Sequence, residues 1–383
     1  VSNYFTLHVR MTKRCNADCS YCSSYELSDG GYMSFNEFVE SIDFIDRKMS
    51  ELGMGGDREH LTIQYVGGEI LTLPSGEFEK CVKYAREKFS KTFDVVIDGV
   101  QSNLIGSSER LLFLKKLFGS RIGTSVDNFT DQRTVAGSAL KYKTIFIKRH
   151  EELEKSSLLV PAIYVVDKKG LEYANQEVLI ANERGYDLTL RAVFQGGSDI
   201  NAASIEEIDQ LYGELFDAWI LKQGISIQPF FQLLAKRLGS VNNDDTLLRY
   251  NVGCPFQNDC AKVSLNLEPG GDLYVCLDMA DSGQYPLGNA LSGEFDTQSW
   301  RKLLGRQYRL PKDCLVCDYF QECQGGCMSE AMATTDSPFG KTELCRVWKT
   351  LFRRIDNAIE VYGADRIKLW MDTLHDKNSN GGE

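Results

Sequence analysis

Cys15, Cys19 and Cys22 are spaced C-x3-C-x2-C in the run Arg14-Cys15-Asn16-Ala17-Asp18-Cys19-Ser20-Tyr21-Cys22. Three thiolates this close can ligate three irons of a [4Fe–4S] cube and leave the fourth iron without a protein ligand. An open iron binds a small molecule, so the spacing describes a reactive cluster and not only an electron store.

The chain has 12 cysteines in 383 residues. A second group is formed by Cys254, Cys260, Cys276, Cys314, Cys317, Cys323, Cys327 and Cys345. No signal peptide precedes Cys15 and no apolar run is long enough to span a membrane, so a reducing, cytoplasmic setting and metal chemistry are expected rather than disulfides. Structural zinc also fits the C-x2-C-x5-C-x3-C run of Cys314 to Cys327. It does not explain the N-terminal triplet, which has no nearby fourth Cys or His. A net charge of −11 argues against nucleic acid or an anionic membrane as partner, because binding phosphates needs a basic surface. The length suggests two or three domains.

Strand-like and helix-like segments alternate up to about residue 200. The strands are Tyr4 to Met11, Leu61 to Val66, Phe93 to Ile97, Arg121 to Val126, Leu158 to Val166 and Leu188 to Phe194. The helices are Ser34 to Met54, with a candidate capping box of Ser34 and Glu37, then Phe78 to Phe89, Glu109 to Phe118, Leu140 to Leu153 and Leu171 to Arg184. Six such units predict an α/β fold, a partial (β/α)6 TIM-like barrel over 1–200, with its site at the C-terminal ends of the strands. A bridging helical region follows over 201–250. There Ile205, Ile208, Leu211, Leu215 and Trp219 form a core stripe. Residues 251–345 form a small cysteine-rich domain whose hairpin turns at Pro269-Gly270-Gly271. A closing helix, Leu344 to Tyr362, leads into the C-terminal region 346–383, which ends in a polar tail from Asp376 that is expected to fray. Cys81, in a helical segment, is expected to be a core thiol.

These motifs resemble the radical S-adenosylmethionine (SAM) enzymes, and the C-terminal part resembles their SPASM extension. The resemblance covers roughly residues 5 to 360. It implies three [4Fe–4S] clusters and SAM as cofactors. Cys15, Cys19 and Cys22 would hold the SAM-binding cluster, with Tyr21 near the adenine. Gly67-Gly68-Glu69 resembles the Gly-Gly-Glu-Pro motif, with Ile70 in place of proline; a glycine pair lets the backbone approach a ligand, and Glu69 would meet the SAM ammonium. Gln101-Ser102-Asn103 resembles a SAM-supporting Gln-Thr-Asn segment. Ser125 would be a SAM contact, Asp127 a substrate or ribose contact, and Arg133 a partner of the SAM carboxylate, although a structural ion pair suits Asp127 and Arg133 equally. In the SPASM pattern Cys254, Cys260, Cys276 and Cys327 hold a first auxiliary cluster, and Cys314, Cys317, Cys323 and Cys345 a second.

The implied activity is reductive SAM cleavage, hydrogen-atom abstraction, and oxidative modification of a peptide or protein side chain by dehydrogenation or a C–S, C–C or C–O crosslink. Asp278 is the candidate base. In anaerobic sulfatase-maturating enzymes an Asp directly follows the third cysteine of the first auxiliary cluster. Leu277 stands there instead, and a one-residue step reverses direction in an extended strand, which counts against sulfatase maturation. A small-molecule (aminocyclitol or sugar) dehydrogenase and a non-enzymatic iron–sulfur electron carrier also remain open. Only fourteen residues precede Cys15, so a peptide substrate is expected to rely on a separate leader-binding protein or to dock directly. A flavodoxin- or ferredoxin-type protein is the expected electron donor.

Overall fold

The computed structural model describes residues 4–26, 31–55, 58–193, 201–248 and 256–379. Along the chain run β1 (Tyr4–Arg10), α1 (Phe35–Leu52), β2 (His60–Val66), α2 (Ser75–Phe89), β3 (Val95–Gln101), α3 (Ser108–Phe118), β4 (Ile122–Ser125), α4 (Ala139–Lys155), β5 (Ala162–Val166), α5 (Ala174–Arg184), β6 (Leu188–Ala192), α6 (Ile205–Trp219), β7 (Ile227–Gln228), α7 (Phe230–Asn242), β8 (Ser264–Leu267), β9 (Asp272–Tyr274), α8 (Cys345–Tyr362) and α9 (Ala364–Ser379). The chain divides into two compact units. One holds Val1–Thr124, Asp131–Ser156 and Asp259–Gly305; the other holds Ser125–Thr130, Ser157–Asn258 and Arg306–Glu383. The division at Gly305 falls inside the cysteine-rich 251–345 segment.

In the first unit β1, β2, β3 and β4 lie parallel in that order, and β8 lies parallel on the free side of β1. The expected hairpin forms: β9 returns antiparallel on β8, with Gly270 and Gly271 at positive φ in the turn. Alternation sets the two faces of the sheet. Phe5, Leu7, Val9, Leu61, Ile63 and Leu265 are essentially fully buried, whereas Thr6, His8, Thr62 and Gln64 on the other face are half-buried. The Ser34–Glu37 capping box is present at the start of α1, satisfying two otherwise orphaned N–H groups. Because β1, β2 and β3 are in register, their C-terminal ends at Arg10, Val66 and Gln101 emerge side by side, and each leads into a motif loop.

In the second unit β5, β6 and β7 are parallel. The helices carry an aromatic core: Trp219 meets Phe230 at 5.9 Å and Trp370 at 4.8 Å between ring centroids. The α6 stripe is core at Ile208, Leu211, Leu215 and Trp219, with Ile205 only half-buried at the first turn. Val347, Trp348, Leu351, Ile355 and Ala358 of α8 are buried as their spacing predicts.

Several boundaries differ from expectation. The strand expected from Leu158 begins at Ala162, just after Pro161, which has no N–H to give a ladder. Phe93 closes α2 by donating its N–H to Phe89 O, so β3 starts at Val95. The helix expected from Leu171 opens as a 3-10 turn over Gly170–Tyr173, whose Gly170 N–H donates to Asp167 at 2.7 Å. The tail expected to fray from Asp376 is helical to Ser379, because Ile367, Met371 and Leu374 bury a face of α9. Phe194 lies outside the described residues.

Candidate active site

The cysteine loop leaves β1 at Arg10. A short antiparallel pair, Asp18–Cys19 with Arg133–Thr134, braces it, and Ser20 N–H donates to Gln132 O at 2.9 Å. Cys22 N–H donates to Cys19 O at 3.0 Å, closing a turn that brings the second and third cysteines together. Cys15 Sγ accepts from Ala17 N–H at 3.4 Å and from Asn103 Nδ2 at 3.8 Å, and Asn103 also donates to Asn16 Oδ1 at 2.9 Å. The Cys15 thiol is pushed up to about 11, first by burial and then by the nearby charges of Glu69, Cys19 and Cys22. A Cys15 thiol raised by burial, with two further cysteines close by, fits a cationic centre, which would relieve that cost on binding.

Gly67 and Gly68 serve backbone approach, but the partner is the cysteine loop. Gly68 N–H donates to Thr12 O at 2.7 Å and Glu69 N–H to Arg14 O at 2.8 Å. A Cβ on Gly68 would stand 2.3 Å from Arg14 O. The glycine pair therefore seats the start of the loop on the end of β2. Glu69 is 1 % exposed, and its carboxylate accepts from Leu71 N–H and Ser102 Oγ at 2.8 Å and from Asn103 N–H at 2.6 Å. Burial pushes its pKa up, opposed by these bonds and by Arg133. Its local role is to join the ends of β2 and β3, a structural task that the motif alone, which points to the SAM ammonium, does not announce.

Arg133 is buried, with its guanidinium 4.8 Å from the Tyr142 ring centroid. Tyr21 is half-buried in the loop, Gln101 ends β3, and Ser125 ends β4. Asp127, in the second unit, accepts from Thr130 N–H at 2.9 Å and from Thr130 Oγ1, so both of its oxygens shape their own turn. Asp278 lies in the first turn of the helix Leu277–Ser282, where a carboxylate also suits the helix dipole. That segment is helical, so the extended-strand argument about Leu277 does not apply: a one-residue step turns by roughly 100° rather than reversing.

Sequence reasoning missed a buried charge cluster next to the loop. Arg10, 2 % exposed, pairs with Asp281 and lies 3.4 Å from Glu268. Asp281 Oδ2 accepts from Ser23 Oγ at 2.7 Å. These residues are up to 271 positions apart, so no local pattern announces them.

Cys260, buried, and Cys276, half-buried, belong to the first unit; Ser264 Oγ donates to Val275 O at 2.9 Å and ties the two segments. Cys327 is buried in the second unit, at the start of the helix Met328–Thr335, and Cys254 lies outside the described residues. Cys314, Cys317, Cys323 and Cys345 line one pocket, closed by Tyr319, Phe320, Trp348 and Phe352. Burial and the charges of Cys345, Cys314 and Cys317 push the Cys323 thiol up to about 12. The pocket draws in Cys345 from α8 and not Cys327, the fourth cysteine of the zinc-like run. Among the described residues no three Cys, His, Asp or Glu converge as closely as a single ion requires. The Cys-Gln-Gly-Gly-Cys turn has three consecutive left-handed residues, Gln324, Gly325 and Gly326, and the fully buried Arg306 donates to Gly325 O at 3.0 Å and Gly326 O at 3.3 Å. Cys81 is 1 % exposed, a core thiol. The described cysteines form no disulfide, and no helix of the described residues is long and apolar enough to cross a membrane.

No family model matches the sequence. The chain is 22% identical over 373 residues to a cysteine-type anaerobic sulfatase-maturating enzyme of Clostridium perfringens (strain 13 / Type A), covering 88% of this chain and 92% of the relative. It resembles the solved structure of native anSMEcpe with bound AdoMet, with a TM-score of 0.71 at 20% identity over 93% of this chain and 99% of that one. It also resembles Streptococcus suis SuiB bound to precursor peptide SuiA, with a TM-score of 0.58 at 16% identity over 90% and 76% of the two chains. The fold of this chain, mixed α/β with a large parallel sheet, is that of the radical SAM/SPASM enzymes anSMEcpe and SuiB.

Proposed function

We propose that this chain is a radical SAM oxidoreductase that oxidatively modifies a peptide or protein side chain. The observation that carries the reading is the cysteine triplet on the C-terminal end of β1, with Asn103 from the end of β3 donating to Cys15. Cys15, Cys19 and Cys22 would hold a [4Fe–4S] cluster. Tyr21, Gly67, Gly68, Glu69, Gln101, Asn103, Ser125 and Arg133 are the residues proposed to surround SAM. When bound, this pair supplies a 5′-deoxyadenosyl radical that removes a hydrogen atom from substrate. Glu69 and Asn103 orient the loop, and Arg133 offers a buried cation suited to a carboxylate. The eight later cysteines would hold two auxiliary clusters that take up the second electron. Asp278 is the proposed acceptor of the substrate proton, and Asp127 shapes its own loop.

A peptide substrate is supported by the fold shared with SuiB bound to precursor peptide SuiA and with anSMEcpe bound to AdoMet and the Cp18Cys peptide. Formylglycine formation is the second reading, favoured by the sulfatase-maturating relative and by the helical setting of Asp278. An external flavodoxin or ferredoxin and a cytoplasmic setting complete the proposal, with the peptide either docking directly or presented by a separate leader-binding protein. The test is anaerobic: reduced protein is expected to release 5′-deoxyadenosine from SAM, and the Cys15→Ala variant none. Release by that variant would remove the site assignment. Mass analysis of co-expressed peptide separates the readings, since dehydrogenation or crosslinking removes two hydrogens and formylglycine formation from Cys removes the sulfur. Asp278→Asn is expected to slow product formation more than SAM cleavage; equal turnover would clear Asp278 of the role.

A further inference from the structure

We infer that Arg10, paired with Asp281 and Glu268 at the start of the cysteine loop, is a fixed charge that sets the reduction potential of the N-terminal cluster, with Asp281 as its positioning residue. The inference rests on the cluster assignment proposed above and deepens it.

Arg10 closes β1, so its backbone leads directly into the cysteine loop. Its side chain is only 3% exposed and lies against two carboxylates of the later, cysteine-rich segment: Asp281 by direct contact and Glu268 at 3.4 Å. Glu268 is also buried, and Lys13 Nζ approaches it at 3.5 Å. A buried cation is costly unless paired and hydrogen-bonded. A purely structural pair would satisfy that need and stop there. Here Asp281 also accepts from Ser23, adjacent to Cys22, and Arg10 lies within electrostatic reach of the Cys22 sulfur. Asp281 sits five residues after Cys276, so one carboxylate joins the loop after the third N-terminal cysteine to the helix after an auxiliary-cluster cysteine.

Charge held in a water-poor setting acts strongly on its neighbours. Local net charge, hydrogen bonds and burial are the levers that set a cluster's potential. Reduction adds a negative charge to the cluster, so Arg10 favours the reduced form while Asp281 and Glu268 oppose it. Each substitution therefore has a sign. Asp281→Asn and Glu268→Gln leave Arg10 less compensated and shift the potential to less negative values. Arg10→Gln shifts it to more negative values.

The experiment is a potentiometric titration followed by electron paramagnetic resonance, on anaerobically reconstituted full-length protein. It reads the cluster whose signal changes when SAM is added. Opposite shifts for the acid and Arg10 variants support the inference, because general loosening of the fold would not reverse sign. An unchanged potential, or shifts of the wrong sign, in loaded Asp281→Asn protein overturns it. Should Asp281→Asn fail to load, Glu268→Gln keeps the Ser23 bond and decides by the same signs. A wild-type protein with no SAM-responsive cluster would instead remove the proposed function itself.

Discussion

Around Cys15, Cys19 and Cys22 the neighbours are polar groups delivered by strand ends; around Cys314, Cys317, Cys323 and Cys345 four aromatic side chains share the lining with Asp313, Lys341 and Lys349. The triplet is half-buried throughout; Cys15 accepts from the Asn103 amide, and Ser23, next to Cys22 in the chain, donates to Asp281 of a buried ion pair. The quartet sits behind Tyr319, Phe320, Trp348 and Phe352. A polar, hydrogen-bonded shell orients a reacting centre and leaves room for a charged ligand. A pocket that offers a full set of four thiolates suits a centre that exchanges electrons and binds nothing. The contrast teaches that cysteine number alone does not assign chemistry; the surrounding side chains do.

The largest expected effect falls on the triplet. Replacing Cys15, Cys19 or Cys22 with Ala is expected to abolish SAM cleavage while leaving the auxiliary clusters' iron in place. Iron analysis with a 5′-deoxyadenosine assay checks both halves. Residual cleavage near the wild-type rate would erase the distinction drawn between the two cysteine groups.

Next is the quartet. Cys345→Ala is expected to drop iron from ~12 to ~8 atoms per chain, the loss of one cube, while SAM cleavage persists and product formation fails. The zinc-like run makes the opposite claim, that Cys327 completes the set with Cys314, Cys317 and Cys323. Zinc in the purified protein that disappears in Cys327→Ala and survives in Cys345→Ala would favour that run over the pocket seen around Cys323 and Cys345.

A smaller effect separates orientation from ligation. Asn103→Ala removes the donor to Cys15 and the bond to Asn16, keeping all three thiols. Loss of such an outer partner typically costs 10–100-fold in activity or affinity. Cleavage is expected to fall by about that factor with iron content unchanged. Loss of iron instead would show that Asn103 holds the loop together rather than tuning it.

Local signals were legible in the sequence and distant ones were not. The Ser34–Glu37 capping box, the β8–β9 hairpin and the α8 stripe all depend on neighbours within a turn or two, so spacing reveals them. Glu69 could be found by its motif, yet its hydrogen bonds to Ser102 and Asn103 arise only when β2 and β3 lie in register. Asp281 and Arg306 carry no pattern at all. Asp281 looks like one more acid of an acidic chain until β8 pairs with β1 and brings it to Arg10. Arg306 looks like a surface cation, and folds into full burial against carbonyl oxygens. The polar end of α9 hides the apolar face of Ile367, Met371 and Leu374, so its sequence understates the length of the helix.

The smallest effect on chemistry, and the sharpest test of the aromatic pocket, comes from Gly326→Ala. Gly326 has φ +70°, a region costly for a residue with a side chain. Its new Cβ would stand 2.6 Å from Thr342 Cγ2. Thr342 cannot retreat freely, because its Oγ1 donates to Glu330 and accepts from Leu344 N–H at 3.2 Å, just before Cys345. The strain therefore passes towards Cys345 of the quartet. The expected cost is about 1–3 kcal/mol of stability, measured by denaturant unfolding of the reconstituted protein, with an altered auxiliary-cluster signal and unchanged SAM cleavage. Equal disturbance of both cluster signals would mean that the two cysteine groups are not built independently.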